Sequence, residues 1–280
     1  MVLGGDEPAA GALTIPFPSD AGAGYIPRMR LLLGFLLVST PAWAQDVQGG
    51  VRLREWLCRY DGAITAEGPA DNGTRLDAGS DLGLDRFEPA HEIQASVDVG
   101  SVGRFSIGYW RLRFEGSEVL DADTTFNGLT FPAGTAVESK LRFDVVPFDY
   151  ELPLLDQPVQ IGALAGIRYF SAEAELRGGG QDEHAKIHRP LLLPGAHVGL
   201  QVLPWLRADA RALGLAFSAH NLQCRYAELE AEVVGIPVDR FFVGLGYRHL
   251  ITYFKARKDS LDFDLDGSLG GPYLSLEYRF

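Results

Sequence analysis

Arginines and carboxylates recur at alternate positions along much of this chain, and that spacing is where its chemistry begins. The basic members are Arg52, Arg54, Arg104, Arg142, Arg168, Arg207, Arg211, Arg248 and Arg279. The acidic members are Glu92, Asp98, Asp144, Asp209, Glu228, Glu230, Glu232 and Glu277. No lysine belongs to the set. Guanidinium forks bind carboxylates bidentately and tolerate partial burial better than ammonium does. A nearly balanced set on one face of a closed sheet forms a locked ion-pair network and not an open pore. Histidines supply the other candidate chemistry. His184 and His188 are four residues apart beside Asp182 and Glu183, a metal-like spacing on a helix. The segment reads instead as a loop running into a strand, which leaves the pair solvated. His197 shares the parity of the polar set. His249 has the opposite, apolar parity beside Ile251 and Tyr253, a position suited to work on an apolar substrate. His220 is a second catalytic candidate. General acid–base chemistry needs partners within hydrogen-bond reach, and spacing alone does not supply them.

Strict apolar/polar alternation positions these residues, with no long 3.6-residue pattern competing. The segments lie near residues 48–58, 90–99, 103–115, 137–150, 158–172, 186–201, 204–217, 222–235, 239–256 and 261–280. Many are long enough to cross a bilayer as tilted strands, which takes ~9–11 residues. In 239–256, Phe241, Val243, Leu245 and Tyr247 oppose Phe242, Gly244, Gly246 and Arg248. In 158–172, Val159, Ile161, Ile167 and Tyr169 oppose Gln160, Gly162, Gly166 and Arg168. An arginine facing lipid near the midplane costs ~2–4 kcal/mol, so the charged face must point inward. A water-soluble sandwich would leave the long apolar faces unexplained. Short connections fall at 100–103, 154–157, 202–204 and 235–238. Longer or more polar ones fall at 59–89, 116–136, 173–185, 218–221 and 257–260. The spacing predicts an all-β, closed, antiparallel up-and-down transmembrane barrel of about ten strands, with eight or twelve as alternatives.

The only long apolar run, Leu31 to Val38, is far short of a spanning helix of ~20 residues. It sits between Met29-Arg30 and an Ala42-Trp43-Ala44 exit. That arrangement reads as an export signal over residues 29–44, cleaved after Ala44. Residues 1–28, rich in Gly, Ala and Pro, read as an upstream segment outside the gene proper, or as a disordered leader. The domain is then 45–280. A net charge of −12 argues against a nucleic-acid partner. Two cysteines, Cys58 and Cys224, are too few for a disulfide scaffold. They read as free or buried thiols, with pairing left open. Acidic residues crowd the loops: Asp71, Asp77, Asp81, Asp85 and Glu88, then Glu118, Asp121 and Asp123, then Asp259, Asp262, Asp264 and Asp266. Close carboxylates can hold divalent cations, but no EF-hand pattern accompanies them, and a solvated surface is the reading adopted. Neither cofactor nor metal is expected.

The chain ends Tyr273-Leu274-Ser275-Leu276-Glu277-Tyr278-Arg279-Phe280, with Leu274, Leu276, Tyr278 and Phe280 on the apolar face. Here it resembles the bacterial outer-membrane β-barrel class, whose last strand ends in such an aromatic. The resemblance covers about residues 45–280 and names no single family. It implies a Gram-negative outer-membrane location, contact with outer-membrane lipid, and recognition by the barrel-assembly machinery through Tyr278 and Phe280. Tyr109, Tyr169, Tyr247 and Tyr253 become candidates for interfacial girdles. Some barrels of similar layout are proteases with Asp and His pairs at the outer rim. Others deacylate lipid A with a Ser and a His. No such constellation is legible around His249 or His220. The expected role is therefore structural or partner-binding, through the outer loops. A narrow solute channel and an outer-membrane hydrolase stand as alternatives.

Overall fold

The computed structural model describes residues 47–68, 73–84, 86–155, 158–219, 222–258 and 261–280. The readings for residues 1–28 and 29–44, and for His220, Asp71, Asp85 and Asp259, lie outside these residues.

Alternating sequence becomes strand throughout. The elements are β1 (Val47–Glu67), β2 (Leu76–Asp77), β3 (Glu88–Val99), β4 (Arg104–Val119), β5 (Thr124–Phe126), β6 (Leu129–Phe131), β7 (Ala136–Leu155), β8 (Val159–Gly178), β9 (Gln181–Leu203), β10 (Leu206–Ala219), β11 (Leu222–Val238), β12 (Phe241–Lys258) and β13 (Leu261–Arg279). All but β5 and β6 belong to one eleven-stranded sheet, and β13 pairs antiparallel with β1 to close it. Setting aside β2, a two-residue branch on β1, ten strands make the ring. Closure leaves no sheet edge at the β1–β13 join, where Gly49 N–H donates to the Phe280 carbonyl at 3.0 Å and Phe280 N–H to that of Gly49 at 2.9 Å. Both ends of the ring's chain thus lie at one end of the barrel. At that same end a 3₁₀ turn, Gly100–Val102, joins β3 to β4. Gly103 follows it with φ 119°, and a Cβ there would run into the Glu151 carbonyl, so glycine is required.

The strands are longer than a membrane needs. β1, β7, β8 and β9 have 21, 20, 20 and 23 residues, roughly twice the ~9–11 of a tilted crossing. Their outer faces show where the apolar part stops. Leu53, Ile93, Ile107, Phe148, Ile167, Leu192, Val198, Leu229, Leu245 and Leu276 are exposed in a band nearer the terminal end. Tyr109, Tyr169 and Tyr247 are exposed at 38%, 50% and 53% on the same outward face, where ring and hydroxyl can straddle an interface. Farther along, the exterior turns polar. There Arg113 pairs with Glu115, Arg142 with Glu173, and Arg177 with Asp182.

The interior inverts at the same level. Beside the apolar band it is charged. Toward the far end it is aromatic and aliphatic, with Trp56, Trp110, Tyr60, Phe114, Phe143, Phe170, Tyr226, Phe254 and Phe263 all buried. The described parts of the 59–89 connection and the 116–136 connection close over this end. β1 itself continues to Glu67, and Leu76, Ala78, Leu82, Leu84, Phe126 and Phe131 join the same core. Backbone bonds tie the two connections together, from Thr74 N–H to the Thr125 carbonyl at 2.8 Å and from Asn127 N–H to that of Ala66 at 2.9 Å.

Asp77 organises the turn after β2. Its carboxylate accepts from the Ser80 and Gly79 amides at 3.0 and 2.9 Å and from the Ser80 hydroxyl. Those bonds, Ser80's first, hold its pKa below the usual carboxylate value. A depressed carboxylate pKa contributes stability above the unfolded pKa that is lost as pH falls through the folded one. Limited proteolysis of the far-end cap should therefore accelerate as pH drops below the ordinary aspartate range. Asp77→Ala should cleave faster at neutral pH and lose that dependence. Equal, pH-independent cleavage of both proteins would remove Asp77 from this role.

The ladders stop at different heights: β3 pairs with β4 only over His91–Asp98, although β4 runs on beside β7 to Val119, and the β9–β10 seam is also incomplete. β10 pairs with β9 only from Leu206 to Leu213, ending opposite Gly195, whereas its ladder with β11 runs on to Ala219.

Candidate functional site

The charged layer is the densest polar feature of the barrel. Alternation puts residue i and i+2 on one face of a strand. Arg54 on β1, Glu92 on β3, Asp149 on β7, Arg168 on β8, Arg211 on β10, Glu228 and Glu230 on β11, and Arg248 on β12 therefore converge from around the wall. Arg248 lies at the centre. It bonds Glu92 at 3.0 Å and Glu228 at 2.6 Å, and its Nε lies 3.2 Å from Glu230. Arg54 bonds Glu92 at 3.1 Å and Glu230 at 2.9 Å. Arg168 bonds Glu228 through Nε at 3.0 Å and also pairs with Asp149, which in turn accepts from Arg211 at 3.2 Å. Arg168 and Arg248 are each only 1% exposed. The Arg248 guanidinium lies 5.0 Å from the Trp56 ring centroid and 5.4 Å from that of Trp110. That contact is the junction between the charged and aromatic layers, and the cation gains from both rings.

Nearer the terminal end the network continues. Arg52 donates to Glu277 through Nε at 2.9 Å and lies 3.7 Å from Glu232. Ser275 donates to Glu232, and Arg279 to Glu277. Arg104 pairs with Asp98 at 3.0 Å and Arg207 with Asp209 at 2.7 Å. His197 bridges Glu151 at 2.6 Å and Asp209 at 3.2 Å. Gly244 lies flat beneath Glu232 and Ser275, where any Cβ would overlap both side chains. The space left over is small. A cavity of about 50 Å³ runs among Arg52, His197, Arg211 and Glu232, and one of about 210 Å³ opens beside Arg104 and Arg207.

Two residues of the set expected inside, Arg142 and Asp144, are not there. Both face outward on β7, with Arg142 bonding Glu173 at 2.7 Å and Asp144 accepting from Arg111 at 2.6 Å and Tyr109 at 2.7 Å. The inward face of β7 carries Leu141, Phe143 and Val145, then Asp149 and Glu151. Reading the apolar face of 141–145 as the outer one reverses the phase of the whole strand. The reversal hid Asp149 and Glu151, which belong to the lumen. Their signal was Pro147-Phe148, where the apolar outward run begins.

The histidines do not assemble a site. His249 faces outward, its imidazole lying over Gly270 of β13. His184 and His188 fall on β9, a strand and not a loop, and both face solvent. His91 pairs with Glu55 on the exterior. Among the described residues no three His, Cys, Asp or Glu side chains converge on a metal-sized site. Cys58 and Cys224 are both free and buried. Asp264 and Asp266 lie on β13, where they pair with Lys255 and Arg75, and not in a loop.

The closed antiparallel ring, its apolar outer band and its terminal aromatic strand define a bacterial outer-membrane β-barrel fold. Among solved structures, the outer membrane protease OmpT of Escherichia coli is similar over 84% of this chain and 97% of its own, at 8% identity and a TM-score of 0.55. The attachment invasion locus protein Ail of Yersinia pestis aligns over 84% and 99% at 10% identity and a TM-score of 0.36. The transport unit of the Escherichia coli autotransporter AIDA-I aligns over 90% and 94% at 12% identity and a TM-score of 0.40. At these identities the likeness is one of fold. No protein-family model matches the chain, and no curated protein does.

Proposed function

We propose that this protein is an integral outer-membrane barrel that does not conduct, and that its capped outer end binds a partner. In such barrels both termini face the periplasm, so the aromatic half and its cap project outside the cell. The reading rests on two successive barriers along one axis. An ion-pair layer lies within the bilayer, and a close-packed aromatic layer lies above it. A conducting barrel needs a continuous water path, and the cavities of about 50 and 210 Å³ both belong to the charged layer. Pairing of nearly every lumen arginine also argues against a cation or anion filter, whose charges would have to be free to meet the ion. With the lumen filled, the surfaces left for function are the cap and the polar exterior of the projecting half.

Purified full-length protein in planar bilayers is expected to give a flat current trace. Discrete conductance steps, abolished by heating the protein to unfold it, would establish the channel alternative. Location is tested separately, by recovery in the outer-membrane fraction with heat-modifiable gel migration.

A further inference from the structure

We propose that the terminal mouth of the lumen is a binding site for a small zwitterion of the amino-acid class. By the outer-membrane reading above, that mouth opens to the periplasm, so the site goes beyond the partner-binding outer end. Cavities of about 210 and 50 Å³ lie there side by side, with Arg104, Glu151, His197 and Arg207 lining both. The larger is bounded by Gly100 and Gly103 at the β3–β4 turn and by Leu155 at the end of β7, which places it at the rim. Farther up the lumen Arg168 and Arg248 are each 1% exposed and close the path. The two cavities thus form a blind vestibule. Both fall below the ~300–1,000 Å³ of pockets for drug-sized ligands, so the occupant is small.

The polar groups at this mouth are only half used. Arg207 donates to Asp209 through Nε at 2.7 Å, and among the described residues neither of its Nη atoms has a protein acceptor. Arg104 donates to one oxygen of Asp98 through Nε at 3.2 Å and Nη2 at 3.0 Å, which leaves Nη1 and the second carboxylate oxygen. Glu151 gives one oxygen to His197 at 2.6 Å and keeps the other. His197 also meets Asp209 at 3.2 Å, so one imidazole braces both the Glu151 carboxylate and, through Asp209, the Arg207 guanidinium. Each anchoring bond orients a side chain and leaves a donor or an acceptor over. A ligand can take those groups over from water without breaking an ion pair.

Charge decides which kind of ligand fits. Arg104 and Arg207 line the larger cavity together with Asp98 and Glu151. A simple anion there would meet both carboxylates as well as both arginines, and a simple cation would meet the converse. A molecule carrying both signs gains from all four groups, with its carboxylate on the guanidinium N–H ends and its ammonium on Asp98 and Glu151. Pro153 and Leu155 line the same space and give a short side chain an apolar wall. A carboxylate, an ammonium and a short apolar group on one small frame are the chemistry of a small amino acid.

The test is a ligand-observed NMR titration of purified full-length protein in detergent. The probes are L-alanine, propionate, which lacks its ammonium, ethylamine, which lacks its carboxylate, and glycerol. L-Alanine should bind saturably, and each of the other three about tenfold more weakly or worse, the scale of a lost charge-assisted contact. Asp98→Asn should weaken L-alanine about tenfold and erase its advantage over propionate. Arg207→Gln should weaken it by a similar factor and erase its advantage over ethylamine. A general loss of structure does not produce that crossed pattern. Should Arg207→Gln fail to migrate as a folded barrel, Asp98→Asn carries the test, its side chain being 34% exposed at the rim. Arg113→Ala, on the exterior, should change nothing. Equal binding of L-alanine and glycerol, an equal loss for every probe in the folded variants, or no saturable L-alanine binding would overturn the proposal. Each of those results counts against the mouth alone when the barrel is heat-modifiable and fractionates with the outer membrane. A chain lacking those two properties fails the underlying reading instead.

Discussion

Arg248→Leu is expected to lower the unfolding free energy by ~3–5 kcal/mol, the usual scale for removing one partner of a buried charge network. The reason is what remains. Arg248 faces Glu92, Glu228 and Glu230, and none of these can reach water without dismantling the wall. Arg54 would be left to balance both Glu92 and Glu230, and Glu228 would keep Arg168 as its one cation beside the Tyr226 hydroxyl. The double variant Arg248→Leu with Glu228→Leu should be less damaged than the sum of its singles, because it removes both ends of one buried pair. Urea unfolding of protein refolded into lipid vesicles, followed by tryptophan fluorescence, reads this directly. Trp56 and Trp110 sit against the substituted guanidinium and should report it. An unfolding curve superimposable on wild type would mean that water, and not Arg248, balances these carboxylates.

The fold was legible because the bilayer imposes a simple code. Within the apolar band every outward position must be oily, so Val159, Ile161 and Ile167 against Gly162, Gly166 and Arg168 reveal both strand and face. The same code explains why inward arginines such as Arg54, Arg168, Arg211 and Arg248 could be named from alternation. It fails where the strand leaves the membrane. Above the band the solvent is water on the outside, and the core packs as a soluble protein's does, so the apolar face turns inward. β7 crosses that boundary near Val145 and Val146, both apolar and on opposite faces. A single phase cannot describe it, and Arg142, Asp144, Asp149 and Glu151 were misplaced or missed in consequence. The buried aromatic layer was missed for the same reason. Phe170 follows Arg168 on one face of β8, a step from ion-pair layer to hydrophobic core that composition does not announce. The incomplete seams were illegible too, since which neighbour a strand abandons depends on register and not on the strand's own residues.

Phe170→Ala is expected to destabilise the protein by ~3–5 kcal/mol, as for other large-to-small changes in close-packed cores. The ring is 1% exposed. It stacks on Phe254 at 5.0 Å and meets Phe143 at 5.8 Å and Tyr226 at 6.3 Å. These contacts join β8 to its neighbour β7 and, across the interior, to β11 and β12, with which it shares no backbone ladder. The ladders between β9 and β10 and between β3 and β4 stop short of the far end, and there side-chain packing must substitute for them. Loss of the ring should therefore loosen the projecting half first. Proteolysis above the apolar band should speed up under conditions where the membrane-embedded half still migrates as a folded barrel. Arg168 is two residues away but makes its ion pairs with Asp149 and Glu228, below the aromatic layer. The ion-pair barrier should thus survive, and Phe170→Ala should stay electrically silent in planar bilayers while losing stability. Conductance appearing in this variant would show that the aromatic layer alone seals the barrel and that the charged layer beneath it is permeable.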